Sequence, residues 1–260
     1  MHQADTSIAT KATVAASVAL AVMVAWVYGS ANLPPYILPS PGKIGEAAVR
    51  FFSSARQLGH LWATLTHIGL SIALSFTAGT ALAILAHYVT WTRPSVHRRL
   101  SPFLNAFSGI GWTLLAVIWF GVSTPTVVFS ITVVLVPFAL INMREGLIAL
   151  DREIDEMGRS FTRSGWRRFA RVTVPALVPF AAATLRIMFG VAWKVALTAE
   201  LFGGAQGLGY LINIARQEYD TELIFTVILF IIIAVYLTDR FIFQPLERYT
   251  ARAFGGVAAR

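Results

Sequence analysis

The stretch DREIDEMGRSFTRSGWRRFARVTVPALVP, residues 151–179, decides how the rest of the chain is organised. It is the only long charged interval in an otherwise apolar sequence, and five of its first six residues are acidic or basic. Because charged side chains are costly inside hydrocarbon, we predict that this interval is a loop facing water. The apolar runs on either side of it are then predicted to cross a membrane.

The composition of the whole chain also indicates a membrane protein. Hydrophobic residues make up 56% of the 260 residues and charged residues only 13%, whereas about a quarter of residues are charged in soluble domains. The apolar runs are continuous, whereas the strands of a membrane barrel alternate over segments of about ten residues. We therefore predict an all-α membrane protein.

The formal net charge of +8 is typical either of nucleic-acid binding or of the basic cytoplasmic loops of a membrane protein. We favour contact with membrane lipid and no nucleic acid, because no soluble domain remains to present a basic face. The chain has no cysteine, which excludes disulfides and thiolate chemistry. His67 and His87 have no carboxylate or histidine near them in sequence, so no metal site is predicted.

Six apolar runs are long enough to span a membrane as helices. In chain order they cover 12–28, 59–90, 102–122, 126–143, 176–201 and 223–243. We interpret the first as a retained helix and not a signal peptide, because it is long enough to span. Residues 44–58 have apolar side chains at helical spacing among charges, which predicts an amphipathic helix at the membrane surface.

Six spans place both termini on the same side of the membrane. Fifteen lysines and arginines lie on that side and four on the other. Because basic residues collect in cytoplasmic loops, we predict that 1–11, the charged interval and the tail 244–260 are cytoplasmic. The membrane domain is then 12–243, with a loop at 151–175.

The charged interval has an apolar helical face of its own, formed by Ile154, Met157, Phe161 and Phe169. Ser164-Gly165 permits a break, so we predict two short helices with a turn near 162–165. The residues alone leave two interpretations open. One is a surface helix whose arginines touch anionic lipid, and the other is a lever that binds a cytoplasmic partner and moves the fifth span.

The same interval resembles the cytoplasmic EAA loop of binding-protein-dependent ABC importer permeases, whose pattern is E-A-A, three residues, G, nine residues and I-x-L-P. The matching positions in this chain are Glu156-Met157-Gly158, Thr162, Val172 and Val174-Pro175. Met157, Gly158 and Thr162 depart from the pattern. The departure at Thr162 leaves the local turn open, although Gly165 lies close by.

The resemblance extends over most of the chain and is closest to the nitrate, sulfonate and taurine branch. It is carried by the motifs LPSP (38–41), VIWFG (117–121), AELFGG (199–204) and GLGYLI (207–212). It implies an inner-membrane permease fold, a second permease copy (a homodimer), a cytoplasmic ATPase dimer and an extracytoplasmic binding protein. The residues implied to couple to the ATPase are Glu156, Met157, Gly158, Phe161, Thr162, Gly165 and Pro175.

The chain lacks a G-x-x-x-x-G-K-[ST] loop. We therefore expect no cofactor in this chain, with ATP and magnesium bound by the partner ATPase. The glycine-rich segment 203–209 is predicted to be a gate or turn, because no Lys-Ser or Lys-Thr follows it. Glu218, Asp220 and Glu222 are predicted to contact a binding protein or to cap the sixth helix.

Charges inside a span are the best pointers to a transport pathway, and the fifth span carries Arg186, Lys194 and Glu200. They predict either a cationic pathway for an anion or structural pairs, with Arg186 on helix carbonyls and Lys194 on Glu200 or Asp220. Trp112 and Thr113 are further candidates for the lining.

The function predicted from these patterns is ATP-driven import of a small anion resembling nitrate, a sulfonate or taurine. A riboflavin or pyrimidine precursor or an aromatic carboxylate remains an alternative substrate. A different class of function is an intramembrane enzyme, in which Glu200 or a histidine would be the catalyst. A secondary transporter is disfavoured because the two halves show no evident repeat.

Overall fold

The computed structural model describes residues 2–149 and 164–254, and in these ranges the chain is helical with short connections. The helices are α1 (His2–Asn32), α2 (Pro41–Ser53), α3 (Ala55–Tyr88), α4 (Ser101–Ala106), α5 (Gly109–Phe120), α6 (Thr124–Ile148), α7 (Gly165–Arg168), α8 (Val174–Gly203), α9 (Leu208–Gln217), α10 (Thr221–Thr238) and α11 (Gln244–Phe254). A 3-10 turn covers Thr90–Thr92. The π-helical segments are Pro94–Leu100, Phe169–Thr173 and Asp239–Phe243.

The prediction of an all-α membrane protein is confirmed. Among the described residues, four helical runs are long and apolar enough to cross a membrane, namely Ala55–Tyr88, Thr124–Ile148, Gly165–Gly203 and Thr221–Thr250. A bent pair of helices, Pro94–Ala106 and Gly109–Phe120, makes a fifth. In the part of α1 whose side chains are described, the apolar helix Leu20–Asn32 is shorter than a full span. The count of six spans and the side of the termini therefore stay predictions.

Each π-helical segment is followed, two residues later, by a proline: Pro102, Pro175 and Pro245. A proline lacks the N–H that would close the helical ladder, and its ring clashes with the carbonyl one turn earlier. A wider π turn relieves that clash and pairs the displaced carbonyls locally. Pro175 lies in the first turn of α8, as predicted for a proline early in a helix.

The third predicted span, 102–122, is broken in the structure. Phe107 has an extended backbone, and the helices on either side of the break are bent by 84°. The Ser108 side chain accepts a hydrogen bond from the Gly111 N–H and caps α5. This cap stabilises a new helix start, so the apolar run forms two helices and not one.

The chain divides into two compact units, and Met1–Leu58 with Ile212–Phe230 form the first. In this unit the apolar face of α2 is buried, with Phe51 in contact with Phe230. The predicted helix is therefore confirmed, but it ends at Ser53, because residues 55–58 belong to α3. Its place at the membrane surface stays a prediction. Glu222 lies 3.0 Å from Arg50 and 3.6 Å from Lys43. Asp220 accepts a hydrogen bond from the Leu223 N–H at 2.9 Å, so one of the three predicted carboxylates does cap the sixth helix.

The second unit comprises Gly59–Leu211 and Ile231–Arg260. Its core is formed where α3, α6 and α8 pack together. At Gly79 of α3, a methyl group would lie 2.5 Å from the Ala139 Cβ and 2.8 Å from the Val136 carbonyl oxygen. Only glycine permits this approach of the two backbones, which fixes the separation of α3 and α6 and, with it, the polar site described next.

Candidate functional site

The last turn of α8 carries a carboxylate that is completely buried. The side chain of Glu200 is 0% exposed, and its Oε1 atom lies 2.8 Å from His67 Nδ1, itself 2% exposed. Its Oε2 atom accepts hydrogen bonds from the Thr64 hydroxyl and the Gly209 N–H, each at 2.9 Å. A buried carboxylate is tolerable when donors surround it in this way. We call Glu200, His67 and Thr64 with the backbone of 207–209 the Glu200 cluster.

The glycine-rich segment wraps around the Glu200 cluster through three consecutive backbone N–H groups. Gly207 donates to His60 Nδ1 at 3.2 Å, Leu208 donates to the Thr64 hydroxyl at 2.7 Å, and Gly209 donates to Glu200. Gly207 has φ +120°, and a methyl group on it would collide with the Glu200 carboxylate. Of the two structures predicted for this segment, a gate or a turn, the described conformation is a tightly packed turn.

The glycine-rich segment does bind an anion at the N-terminus of α9, but this anion is the carboxylate of Glu200 in the same chain. Gly209 lies in the first turn of α9, where unpaired N–H groups and the helix dipole favour a negative charge. The Glu200 carboxylate occupies that position. A phosphate-binding role is therefore excluded by geometry as well as by the missing lysine.

His67 has a partner that its sequence neighbourhood does not show, since Glu200 lies 133 positions further along the chain. Its Nε2 atom lies 3.3 Å from the Thr124 hydroxyl at the start of α6. The sequence of α3 does contain a pattern that indicates such a partner. Polar residues recur there every three or four positions and all are buried, namely Thr64, His67, Ser71 and Ser75. A polar stripe at helical spacing predicts an internal polar contact.

Arg186, in the middle of α8, forms a second polar cluster. Its Nε and Nη2 atoms donate to the two carboxylate oxygens of Asp239 at 2.6 and 3.0 Å, and its Nη1 atom donates to Glu247 at 2.5 Å. Gln244 also donates to Asp239, at 3.1 Å. We call these four residues the Arg186 cluster. The predicted pairing of Arg186 with helix carbonyls is wrong. Its guanidinium group binds the carboxylates of Asp239 and Glu247, which follow α10 in the chain.

Lys194 differs from the other two charges of the fifth span because its side chain is exposed. Among the described residues it has no ion-pair partner, and the Glu200 carboxylate predicted to pair with it is engaged elsewhere. Ile187, seven residues earlier, is also exposed and lies on the same side of α8. The exposed side of α8 therefore combines an apolar surface with one cation.

Trp112 and Thr113 lie in the packed interior of the second unit. The Trp112 indole N–H donates to the Leu104 carbonyl at 3.2 Å, and its ring contacts Phe103 and Phe107. The Thr113 hydroxyl donates to the Gly109 carbonyl. These contacts hold α4 against α5 at the bend. Lining of a pathway by Trp112, Thr113 or Glu200 stays a prediction that these contacts do not test.

Most residues assigned to the coupling loop, namely Glu156, Met157, Gly158, Phe161 and Thr162, lie outside the described residues. Gly165 and Pro175 are described. Ser164 caps α7 by accepting a hydrogen bond from the Arg167 N–H, so a helix starts at Gly165, next to the predicted turn. A side chain added at Gly165 would meet no atom within 4 Å.

Comparison with known proteins identifies the class of this chain. Residues 75–244 match the family model of the binding-protein-dependent transport system inner membrane component. A putative aliphatic sulfonates transport permease protein from Bacillus subtilis is 27% identical over 212 residues, which cover 82% of this chain and 76% of the relative. A formylaminopyrimidine transport permease protein from Halalkalibacterium halodurans is 32% identical over 206 residues, 77% of this chain and 80% of the relative.

Two further comparisons agree with these. A bicarbonate transport system permease protein from Synechocystis is 28% identical over 174 residues, 65% of this chain and 62% of the relative. The fold is similar to that of an inward-facing methionine ABC transporter, with a TM-score of 0.64 and 18% identity over 74% of this chain and 95% of the solved one. The chain belongs to the family of binding-protein-dependent ABC importer permeases, multi-pass proteins of the inner membrane.

Proposed function

We propose that this permease carries a small anion of the sulfonate, nitrate or bicarbonate type across the inner membrane, driven by ATP hydrolysis on a separate subunit. The names of two relatives support an anionic substrate, since one is assigned to aliphatic sulfonates and another to bicarbonate. ATP and magnesium would be bound by the partner ATPase.

The exposed side chain of Lys194 is the observation that best supports an anionic substrate. It lies nine residues before the end of α8, which is about 14 Å along the helix at 1.5 Å per residue. An unpaired ammonium at that depth is costly in lipid and is tolerated where it faces water or an anion. A pathway between two permease copies would supply such a space, and a passing anion would be attracted to it.

Uptake by proteoliposomes containing the complete importer tests this role. Lys194→Gln should reduce uptake of a labelled aliphatic sulfonate, nitrate or bicarbonate at least tenfold, whereas Lys194→Arg should retain most of it. Arg56→Gln, which removes a cation near the start of α3, is the matched control and should transport normally. Undiminished anion uptake by Lys194→Gln would refute an anion pathway at this lysine.

A second candidate substrate is a pyrimidine precursor, because the formylaminopyrimidine permease is 32% identical to this chain. That substrate does not depend on an anion-attracting lysine. If the wild-type importer takes up a formylaminopyrimidine in preference to every anion in the same panel, and Lys194→Gln does so equally well, the second candidate replaces the first.

We further propose that residues 151–175 couple the permease to the ATPase. Gly165 supports this assignment, because the space around it is open within the subunit while Trp166 and Phe169 stack beside it. A bulky side chain there would obstruct a docked partner and would not disturb the described fold. Motion of the docked partner would pass directly into α8, since the helix runs continuously from Gly165 to Gly203.

Gly165→Phe should therefore leave the permease folded in the membrane and abolish uptake together with co-purification of the ATPase. Gly59→Phe is the matched control, because Gly59 is equally open and lies near the other end of the bundle. Charge reversal at Glu156 (Glu156→Lys) should have the effect of Gly165→Phe. Normal uptake by both Gly165→Phe and Glu156→Lys would show that the lever role is wrong.

A binding protein and a second copy of the permease complete the proposed importer. The purified complex should contain two permease chains and two ATPase chains, and ATP hydrolysis should rise when the binding protein is added. An intramembrane enzyme would instead act alone. A hydrolytic or transfer activity of the isolated permease that is lost on Glu200→Gln would favour that enzyme over the importer.

A further inference from the structure

A basic cavity lies at the ends of α3 and α6, remote in the fold from the Glu200 cluster. Its volume is about 380 Å³, in the range of small-ligand pockets. The lining consists of Ala83, Ala86, His87, Arg93, Pro94, Arg98, Arg144 and Ile148. The described lining thus combines three guanidinium groups and an imidazole with apolar side chains, and none of these eight residues carries a carboxylate.

The wall of this cavity is held in place by hydrogen bonds and by the core beneath it. Arg93 donates from Nε to the Ala86 carbonyl at 2.9 Å and from Nη2 to the His87 carbonyl at 2.8 Å. Ala83, Ala86 and Val96 belong to the same buried apolar cluster. The shape of the cavity therefore follows from packed elements and exists without a ligand, which lowers the entropy lost on binding.

Among the residues that the structure describes, little negative charge compensates the positive charge of the cavity. Within the described ranges its carboxylate partner is Glu145, which lies 3.3 Å from Arg144 in an exposed pair, and such a pair is weak. Arg98 has no ion-pair partner among the described residues. Arg98 and Arg144 therefore offer guanidinium groups to an anion that enters the cavity.

The surroundings of the cavity indicate what kind of anion fits. The exposed side chains of Pro94 and Ile148 give its lining an apolar part, and Trp91, two residues before Arg93, is 81% exposed. Exposed tryptophans beside basic residues are typical of the headgroup level of a bilayer. Guanidinium groups bind phosphate oxygens through charge-assisted hydrogen bonds. We propose that this cavity binds the phosphate of an anionic phospholipid, with the acyl end against the apolar lining.

Lipid binding by the purified, delipidated importer tests the proposal. Native mass spectrometry counts the phosphatidylglycerol and phosphatidylcholine molecules retained by the wild type and by the double variant Arg98→Gln/Arg144→Gln. Arg93 is left unchanged because it holds the end of α3. The double variant should lose at least tenfold in affinity for one phosphatidylglycerol per chain, with phosphatidylcholine unaffected.

The matched control is Arg56→Gln/Arg216→Gln, which removes the same charge from two helix ends predicted to lie on the opposite side of the membrane. It should bind phosphatidylglycerol like the wild type. Equal loss in the control variant, or equal retention in the pocket variant, would overturn the proposal. Displacement of the lipid by millimolar inorganic phosphate would instead assign the cavity to a soluble anion. Loss of ATPase co-purification with lipid affinity unchanged would assign it to a protein partner.

Discussion

The Glu200 cluster and the Arg186 cluster place charge inside the same helical unit in opposite ways. Glu200 is fully buried, and the groups around its carboxylate are a histidine, a hydroxyl and a backbone N–H. Arg186 is 34% exposed and is neutralised by two carboxylates. The first cluster depends on backbone geometry, and the second depends on charge. The two should therefore respond differently to substitution and to salt.

Removing the Glu200 side chain should have the largest effect on stability. In Glu200→Ala, the Gly209 N–H and His67 lose their hydrogen-bond partner in a buried site, and the Thr64 hydroxyl keeps only the His60 carbonyl at 3.3 Å. Leaving such groups unpaired costs about 3 to 5 kcal/mol, so thermal unfolding in detergent should occur at a much lower temperature. Glu200→Gln keeps one acceptor oxygen and should lose less than half as much.

Equal stability of Glu200→Ala and the wild type would contradict the account of the Glu200 cluster. So would a larger loss in Glu200→Gln than in Glu200→Ala, since the amide preserves the shape of the carboxylate.

Adding one methyl group at Gly207 should have the next largest effect. Alanine at φ +120° is strained, at a cost of about 1 to 3 kcal/mol, and its Cβ would press against the Glu200 carboxylate. The unfolding temperature of Gly207→Ala should fall clearly. Gly190→Ala is the control, because that glycine lies in α8 with no atom within 4 Å of an added Cβ. It should be neutral or slightly stabilising.

The contrast between these clusters also explains what the sequence could and could not predict. Long apolar runs predict helices 59–90 and 176–201 within a few residues of α3 and α8, because spanning needs length and hydrophobicity alone. The bend in 102–122 was missed, although Ser108, a residue type favoured at helix starts, and Gly109 directly follow Phe107. The pairs His67–Glu200 and Arg186–Asp239 were also missed, because folding joins positions that no local pattern connects.

Neutralising Arg186 should lower the free energy of unfolding by less than Glu200→Ala or Gly207→Ala does. In Arg186→Gln, Asp239 and Glu247 lose their common cation and are left close together, but solvent reaches all three side chains. We expect a loss of about 1 kcal/mol. Arg186→Lys should recover part of it, because lysine restores the charge without the two-pronged contact to Asp239. A loss of stability equal to that of Glu200→Ala would contradict the expectation that exposure to solvent weakens the Arg186 cluster.

Neutralising Glu247 should have the smallest effect and should separate the two clusters by their response to salt. In Glu247→Gln, Arg186 keeps both contacts to Asp239, so the loss should stay below about 1 kcal/mol. Combined with Arg186→Gln it should be favourable, because it removes the repulsion between the two carboxylates.

Raising the salt from about 0.1 M to about 1 M shortens the Debye length from about 10 Å to about 3 Å. The Glu247→Gln effect should then shrink, while that of Glu200→Ala should persist, because salt screens hydrogen bonds in a fully buried site very little. Salt sensitivity of both effects to the same degree would mean that the Glu200 cluster is held by charge and not by its donors.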